Sequence, residues 1–459
     1  MKQHQSEKGF LFLNFALIVL VFVWAQVAFG QTQTTTPERG FNPGRSYSIS
    51  DIETIGLYSG NMMLNLPVGA LPPGRGGTSA TVNLHYNSKI WETRVLERYE
   101  AVSTHDVHTL FQSDEGGWRY GYKYRLELDY RLMGPDQGFC MSGFPHSYYP
   151  YKLQLVLPDG SRHGLYADGY MNPALSSGGN DPTPHPEGEF MRIWPDGRPA
   201  CTTENPPYST TPVTGTITYF TDDGTFLRVE METDSDSDWQ NNRWTLYMPD
   251  GGRVIYNPGG GVSQRIIDRN GNSIDIIENA SDPNYSGHKT TYLKDDLDRK
   301  VVIEYAYSTD MQNGTTEDRI HSKGFDGEDV ITRVIWKKII VNRTYARCEY
   351  NPPGSPIDNQ NFPLNQMIDV VHRVYLPTQI GEDLFYEFDY NADSTTAADY
   401  GWGEVNKVKL PSGAWAEYDY YYDDFSGSLA AESVLLNRPV EKRLKYNVEY
   451  DGATPQQVT

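Results

Sequence analysis

From Tyr120 to Leu132 the chain alternates: Tyr120, Tyr122, Tyr124, Leu126, Leu128, Tyr130 and Leu132 are interleaved with Lys123, Arg125, Glu127, Asp129 and Arg131. A period of two sends one set to one face of an extended strand and the other set to the opposite face. This window is therefore expected to be one long strand. The same alternation recurs in Val82-Leu84-Tyr86, Val301-Ile303-Tyr305-Tyr307 and Leu384-Tyr386-Phe388-Tyr390. One apolar and one wet face per strand predict antiparallel sheets with one buried side. No window beyond residue 31 carries a sustained stripe of period 3.6, so few or no helices are expected. The 33 tyrosines, with 42 glycines and 29 prolines, suit short strands joined by tight turns.

Those turns share a form. Leu157-Pro158-Asp159-Gly160, Trp194-Pro195-Asp196-Gly197, Met248-Pro249-Asp250-Gly251 and Leu410-Pro411-Ser412-Gly413 each place proline where a turn needs its fixed φ, and glycine where it needs a positive one. After three of them the chain re-enters a strand ending in an aromatic residue, at Tyr166, Tyr256 and Tyr420. Phe220-Thr221-Asp222-Asp223-Gly224-Thr225 is a proline-free variant, and Ile267-Asp268-Arg269-Asn270-Gly271-Asn272 and Leu297-Asp298-Arg299-Lys300-Val301 lie between. The segments 31–46, 173–189 and 350–363 lack such patterning; the first is read as a polar exit segment, and the other two are expected to be surface loops or insertions.

The first thirty residues read as an export signal. Lys2 and Lys8 precede the apolar run Phe10 to Trp24, and Ala28-Phe29-Gly30 offers small residues for cleavage before Gln31. An uncleaved anchor is the alternative, since roughly 20 apolar residues can span a bilayer. The division expected is a signal over 1–30, a polar linker over 31–50, an N-terminal β region over 51–150 and hairpin repeats over 151–459, incomplete at the C-terminus. A chain with 39 Lys plus Arg against 60 Asp plus Glu has a net charge of −21, which repels nucleic acid and anionic membranes. Cys140, Cys201 and Cys348 permit one bridge and a free thiol, or three free thiols.

Signals for chemistry are few. There is no Gly-x-Ser-x-Gly elbow, no His-Glu-x-x-His, no phosphate loop and no dinucleotide fingerprint. His105 and His108 are read as solvated histidines in a loop. Asp234, Asp236 and Asp238 alternate and offer oxygens to calcium, although Trp239 and Thr245 stand where an EF-hand needs glycine and glutamate. No other cofactor is expected. Trp402 and Trp415, near the last turn, are candidate platforms for sugar rings, against a packing role for each.

The stretch Ser59-Gly60-Asn61-Met62-Met63-Leu64-Asn65-Leu66-Pro67-Val68-Gly69-Ala70-Leu71-Pro72-Pro73-Gly74-Arg75-Gly76-Gly77, followed by Thr81-Val82-Asn83-Leu84-His85-Tyr86-Asn87-Ser88, resembles the opening of RHS/YD-repeat proteins. Met62 and Met63 replace that opening's usual polar and aliphatic pair. Asp268-Arg269-Asn270-Gly271-Asn272 resembles a further motif of that family, and Leu297 to Val301 resembles a YD unit stripped of its tyrosine and glycine; no complete YD unit occurs. The resemblance implies an all-β fold, a long, coiled antiparallel sheet of hairpins forming a shell. It also implies a structural role without catalysis, with a downstream toxin or effector domain, or a cell-surface glycan, as partner. The alternative is a secreted glycan-binding or glycan-acting β protein. In both readings the chain is secreted or at the cell surface, without nucleic acid, and meets a membrane only through an uncleaved signal segment.

Overall fold

The computed structural model describes residues 46–50, 52–56, 60–74, 79–100, 103–113, 116–129, 152–167, 215–221, 223–233, 242–280, 283–285, 287–324, 327–346, 348–350, 361–377, 384–391, 401–421, 438–445 and 457–458. These residues are almost all β. A single 3-10 turn, Pro283–Tyr285, is the one helical element among them. The signal segment, Cys140, Cys201, the turn at 194–197 and Asp234, Asp236 and Asp238 lie outside the described residues.

Three sheets are present among the described residues. The first is a five-stranded antiparallel sheet of Ser46–Ser50, Glu53–Gly56, Met62–Ala70, Thr81–Asn87 and Gly117–Gly121, in that order. The second joins the hairpin Trp91–Glu100 and Ser103–Gln112 to Cys348–Tyr350. The third is a long antiparallel sheet in which each strand pairs with the next in sequence, from Arg125–Asp129 to Gln457–Val458, with Cys348–Tyr350 left out. No ladder joins its first strand to its last among the described residues, so the sheet is open there. Local pairing of consecutive strands needs only short hairpin loops, which the turn-rich sequence supplies.

One loop is reused along this sheet. At Leu157, Met248, Asp268, Asp295, Gly324 and Leu410 the backbone N–H three residues on donates back to the residue's carbonyl, and its own N–H donates to the carbonyl four residues on. This is a three-residue hairpin loop, a type I turn closed by a residue of positive φ. Gly160, Gly251, Gly271, Gly327 and Gly413 fill that position, and Asp298 fills it at φ 65° in the segment that lacks the glycine. Aspartate side chains fasten several copies: Asp268 Oδ1 accepts from the N–H of Asn270 and Asn272, and Asp295 Oδ1 from those of Leu297 and Arg299. Gly413→Ala is expected to lower stability by about 1–2 kcal/mol, because a β-carbon is strained at φ 84° although the space around it is open. Gly261→Ala, with equal space and no positive φ, should shift a urea midpoint far less.

The five-stranded sheet lies against the long one through a shared apolar core. Met62, Leu64, Leu66, Val68, Val82, Leu84 and Tyr86 meet Val301, Ile303, Ile320, Val334, Ile368, Val371, Phe388 and Tyr418. A second cluster around Leu153, Leu155, Tyr219, Val229, Trp244 and Leu246 fills the early part of the long sheet, and Ile266 borders both clusters.

Several expectations require correction. The Tyr120 to Leu132 window is not one strand: Gly117–Gly121 ends the five-stranded sheet, Tyr122 to Tyr124 carry no ladder, and Arg125–Asp129 opens the long sheet. The long sheet thus starts before residue 151. His105 and His108 lie on the strand Ser103–Gln112, not in a loop. The segment 350–363 does not stay irregular to its end, since the strand Asn361–Tyr375 includes Pro363. Tyr307 is exposed, because a bulge between Glu304 and Ser308, with Ala306 at positive φ, breaks the alternation that buries Val301 and Ile303.

Candidate functional site

The segment from Trp118 to Tyr124 crosses the long sheet instead of pairing with it, and its alternate residues meet successive strands. Trp118 Nε1 donates to Tyr390 Oη at 2.7 Å, and its ring sits edge-on to Phe388. Tyr120 Oη donates to Asp318 Oδ2 at 2.9 Å, and its ring lies edge-on to both Tyr305 and Trp336. Tyr122 Oη lies 3.3 Å from Tyr305 Oη and 3.4 Å from Glu278 Oε1. Gln264 then grips the backbone of Tyr124 from both sides, accepting from its N–H at 3.0 Å and donating to its carbonyl. Period two, which predicts an apolar face, here also delivers phenol and indole donors into the core at regular steps.

Burial sets the electrostatics of this seam. Desolvation pushes the phenols of Tyr120 and Tyr122 well above their usual value, and that of Tyr124 up to about 12. Desolvation also raises Asp318, against the lowering effect of donors from Ala306 N–H, Tyr120 Oη and Trp336 Nε1. With Oδ1 engaged by one of these donors and Oδ2 by the other two, Asp318 organises the packing of the seam.

A second constellation has the form of a hydrolase triad. Ser161 Oγ lies 3.0 Å from His163 Nε2, and His163 Nδ1 lies 2.5 Å from Asp223 Oδ2. Sequence inspection misses it because Asp223 sits on another hairpin, 60 residues away. Ser161 is 1% exposed, and its hydroxyl hydrogen points to Asp159 Oδ1 at 2.7 Å, so the oxygen is neither reachable nor aimed at a substrate. The group clasps two hairpin tips. A third cluster sets His321 Nε2 at 3.1 Å and His288 Nε2 at 3.8 Å from the two oxygens of buried Glu304. The histidines approach different oxygens, and no three-donor group suited to a metal ion is formed among the described residues.

The candidate sugar platforms fall differently. Trp402 is 0% exposed; its N–H donates to Glu404 Oε2 at 2.7 Å and its carbonyl accepts from Trp91 Nε1 at 2.7 Å. Its indole belongs to the core and presents no face to a glycan, which corrects that reading. Trp415 is half-buried, with Nε1 bonded to Glu417 Oε1 at 3.1 Å and the Lys407 ammonium over its ring at 5.2 Å. One face of its ring is thus covered by a cation.

The described residues do hold one cavity of note. It has a volume of about 260 Å³ and opens where the crossing segment turns into the long sheet, between Lys123 to Glu127 and the strands carrying Trp244, Tyr256, Gln264 and Glu278. Nothing in the sequence marked it, because its walls come from segments more than a hundred residues apart.

Fold and site together define an all-β protein built from consecutive hairpins around an N-terminal sheet. No family model matches the chain, and no curated protein matches it.

Proposed function

We propose that this chain is a structural wall segment of a secreted shell or scaffold of the RHS/YD type, without catalytic activity. The observation that carries the reading is the long open sheet, made strand after strand with one recurring hairpin loop and laid over an N-terminal sheet. The strands Met62–Ala70 and Thr81–Asn87, which bear the opening motif, supply much of the shared core. Among the described residues, Ser161 is buried and bonded to Asp159, and Asp318 is engaged by three donors, so these two polar clusters hold packing together. The chain acts after export, as a shell around a downstream toxin or effector domain or as a surface that meets other cells.

An open sheet leaves unpaired N–H and C=O groups at its end strands, and such edges recruit further strands. The secreted chain, purified without partners, should therefore associate in a concentration-dependent way in sedimentation equilibrium. A strict monomer at every concentration would count against the shell reading. Hydrolysis of a polysaccharide panel by the purified chain would overturn its non-catalytic part.

A further inference from the structure

We propose that the cavity at the start of the long sheet is a binding site for one neutral pyranose unit of a glycan, a proposal independent of the shell reading. Gln264 holds the backbone of Tyr124 by two hydrogen bonds, so the crossing segment cannot move into the space it borders. Trp244 and Tyr256 form the aromatic wall, stacked with centroids 5.2 Å apart and planes 16° from parallel. Trp244 is anchored in the second core, and Tyr256 is half-buried with its phenol raised by desolvation and by Glu278.

The remaining walls carry charges of both signs, already balanced. Lys123 Nζ lies 2.6 Å from Glu278 Oε1, and Arg125 Nη1 lies 3.1 Å from Glu127 Oε1, whose other oxygen accepts from Arg162 Nη2 at 2.9 Å. This balance discriminates among ligand classes. An anion or a cation would have to break an ion pair to be held. A purely apolar ligand would cover these charged groups without replacing the water that solvates them. A neutral polyhydroxyl ring satisfies all the walls at once: its hydroxyls donate to Glu278 and Glu127 and accept from Lys123 and Arg125, while its C–H face lies on the aromatic wall. The volume of about 260 Å³ is of the size of one sugar ring and does not admit a long chain.

The test is ligand-observed saturation-transfer NMR, followed by titration, on the full chain. The probes are methyl β-glucopyranoside, methyl α-mannopyranoside and N-acetylglucosamine, with glutamate, lysine and toluene as comparators. At least one sugar should bind saturably, with a Kd of about 1–10 mM, as suits a single small site. Tyr256→Ala should weaken that binding roughly tenfold or more, whereas Tyr256→Phe, which keeps the ring, should stay within about threefold. Glu278→Gln should weaken it by roughly fivefold, and as Glu278 is part-exposed it leaves the core intact and serves as the second variant if Tyr256→Ala fails to fold. No saturable sugar binding, binding indifferent to Tyr256→Ala and Glu278→Gln alike, or preferential binding of a comparator would each overturn the proposal.

Discussion

Trp402→Ala should destabilise the protein by about 3–5 kcal/mol, the range for removing a large aromatic side chain from a packed core. The residue is 0% exposed and belongs to the core shared by the five-stranded and long sheets. Its backbone bonds to Glu404 and Trp91 need no side chain and would survive, so the loss reads the burial of the indole and the cavity it leaves. The surroundings cannot close easily over that cavity. Gly403, at φ 94°, already lets Ile368 and Val341 approach within the space of a β-carbon, so the backbone there is pinned by its neighbours. Urea unfolding of the variant measures the effect. A change within about 0.5 kcal/mol, as expected of an exposed side chain, would contradict this placement.

The second large effect is acid destabilisation through His85. Burial is the main reason its pKa falls to about 4, reinforced by Arg119 and opposed by Asp159 and the Pro158 carbonyl. In the unfolded chain the imidazole titrates near its ordinary value of 6.5. Between these values the unfolded state binds more protons than the folded one, so stability rises with pH across this window. The contribution is complete above about pH 6.5 and is lost as the pH falls through about 4, amounting to about 3 kcal/mol. Gly121 packs directly on this ring: a β-carbon there would come within 2.2 Å of the imidazole and 2.0 Å of the Pro158 carbonyl. His85→Gln should remove this step from a plot of unfolding free energy against pH. Asp318, raised by desolvation, works in the opposite sense, since its ionisation costs stability as the pH rises through its folded value. The expected readout is therefore the difference between wild type and His85→Gln, not the wild-type slope alone. Equal slopes for the two proteins would refute the assignment.

The strand class and the turns were legible in the sequence because both are local. Alternation over Val82-Leu84-Tyr86 names residues that are buried, and Pro-Asp-Gly places positive φ at Gly160 and Gly251. What depends on three-dimensional placement was not legible. Alternation marks the inward face of Tyr120, Tyr122 and Tyr124, but it cannot say that the chain changes sheets there, since a crossing segment and a paired strand share the same period. Composition makes Trp402 a plausible surface aromatic, and only long-range packing against Trp91 and Tyr86's strand buries it. A bulge of the kind that turns Tyr307 outward leaves no mark in an apolar pattern. The cavity and the Ser161, His163 and Asp223 clasp join residues from separate hairpins, so no spacing rule finds them.

The N-terminal sheet and the long sheet share one core, joined by the crossing segment Trp118 to Tyr124. Native-state hydrogen exchange, followed by mass spectrometry at rising denaturant, tests it most directly. The amides of Met62–Ala70, Thr81–Asn87 and Gly117–Gly121 should exchange in the same cooperative step as those of Lys300–Asp310, Thr315–Lys323 and Asn361–Tyr375, with one free energy of opening. If the N-terminal strands open separately and at much lower free energy while the long sheet stays protected, the two sheets do not share a core.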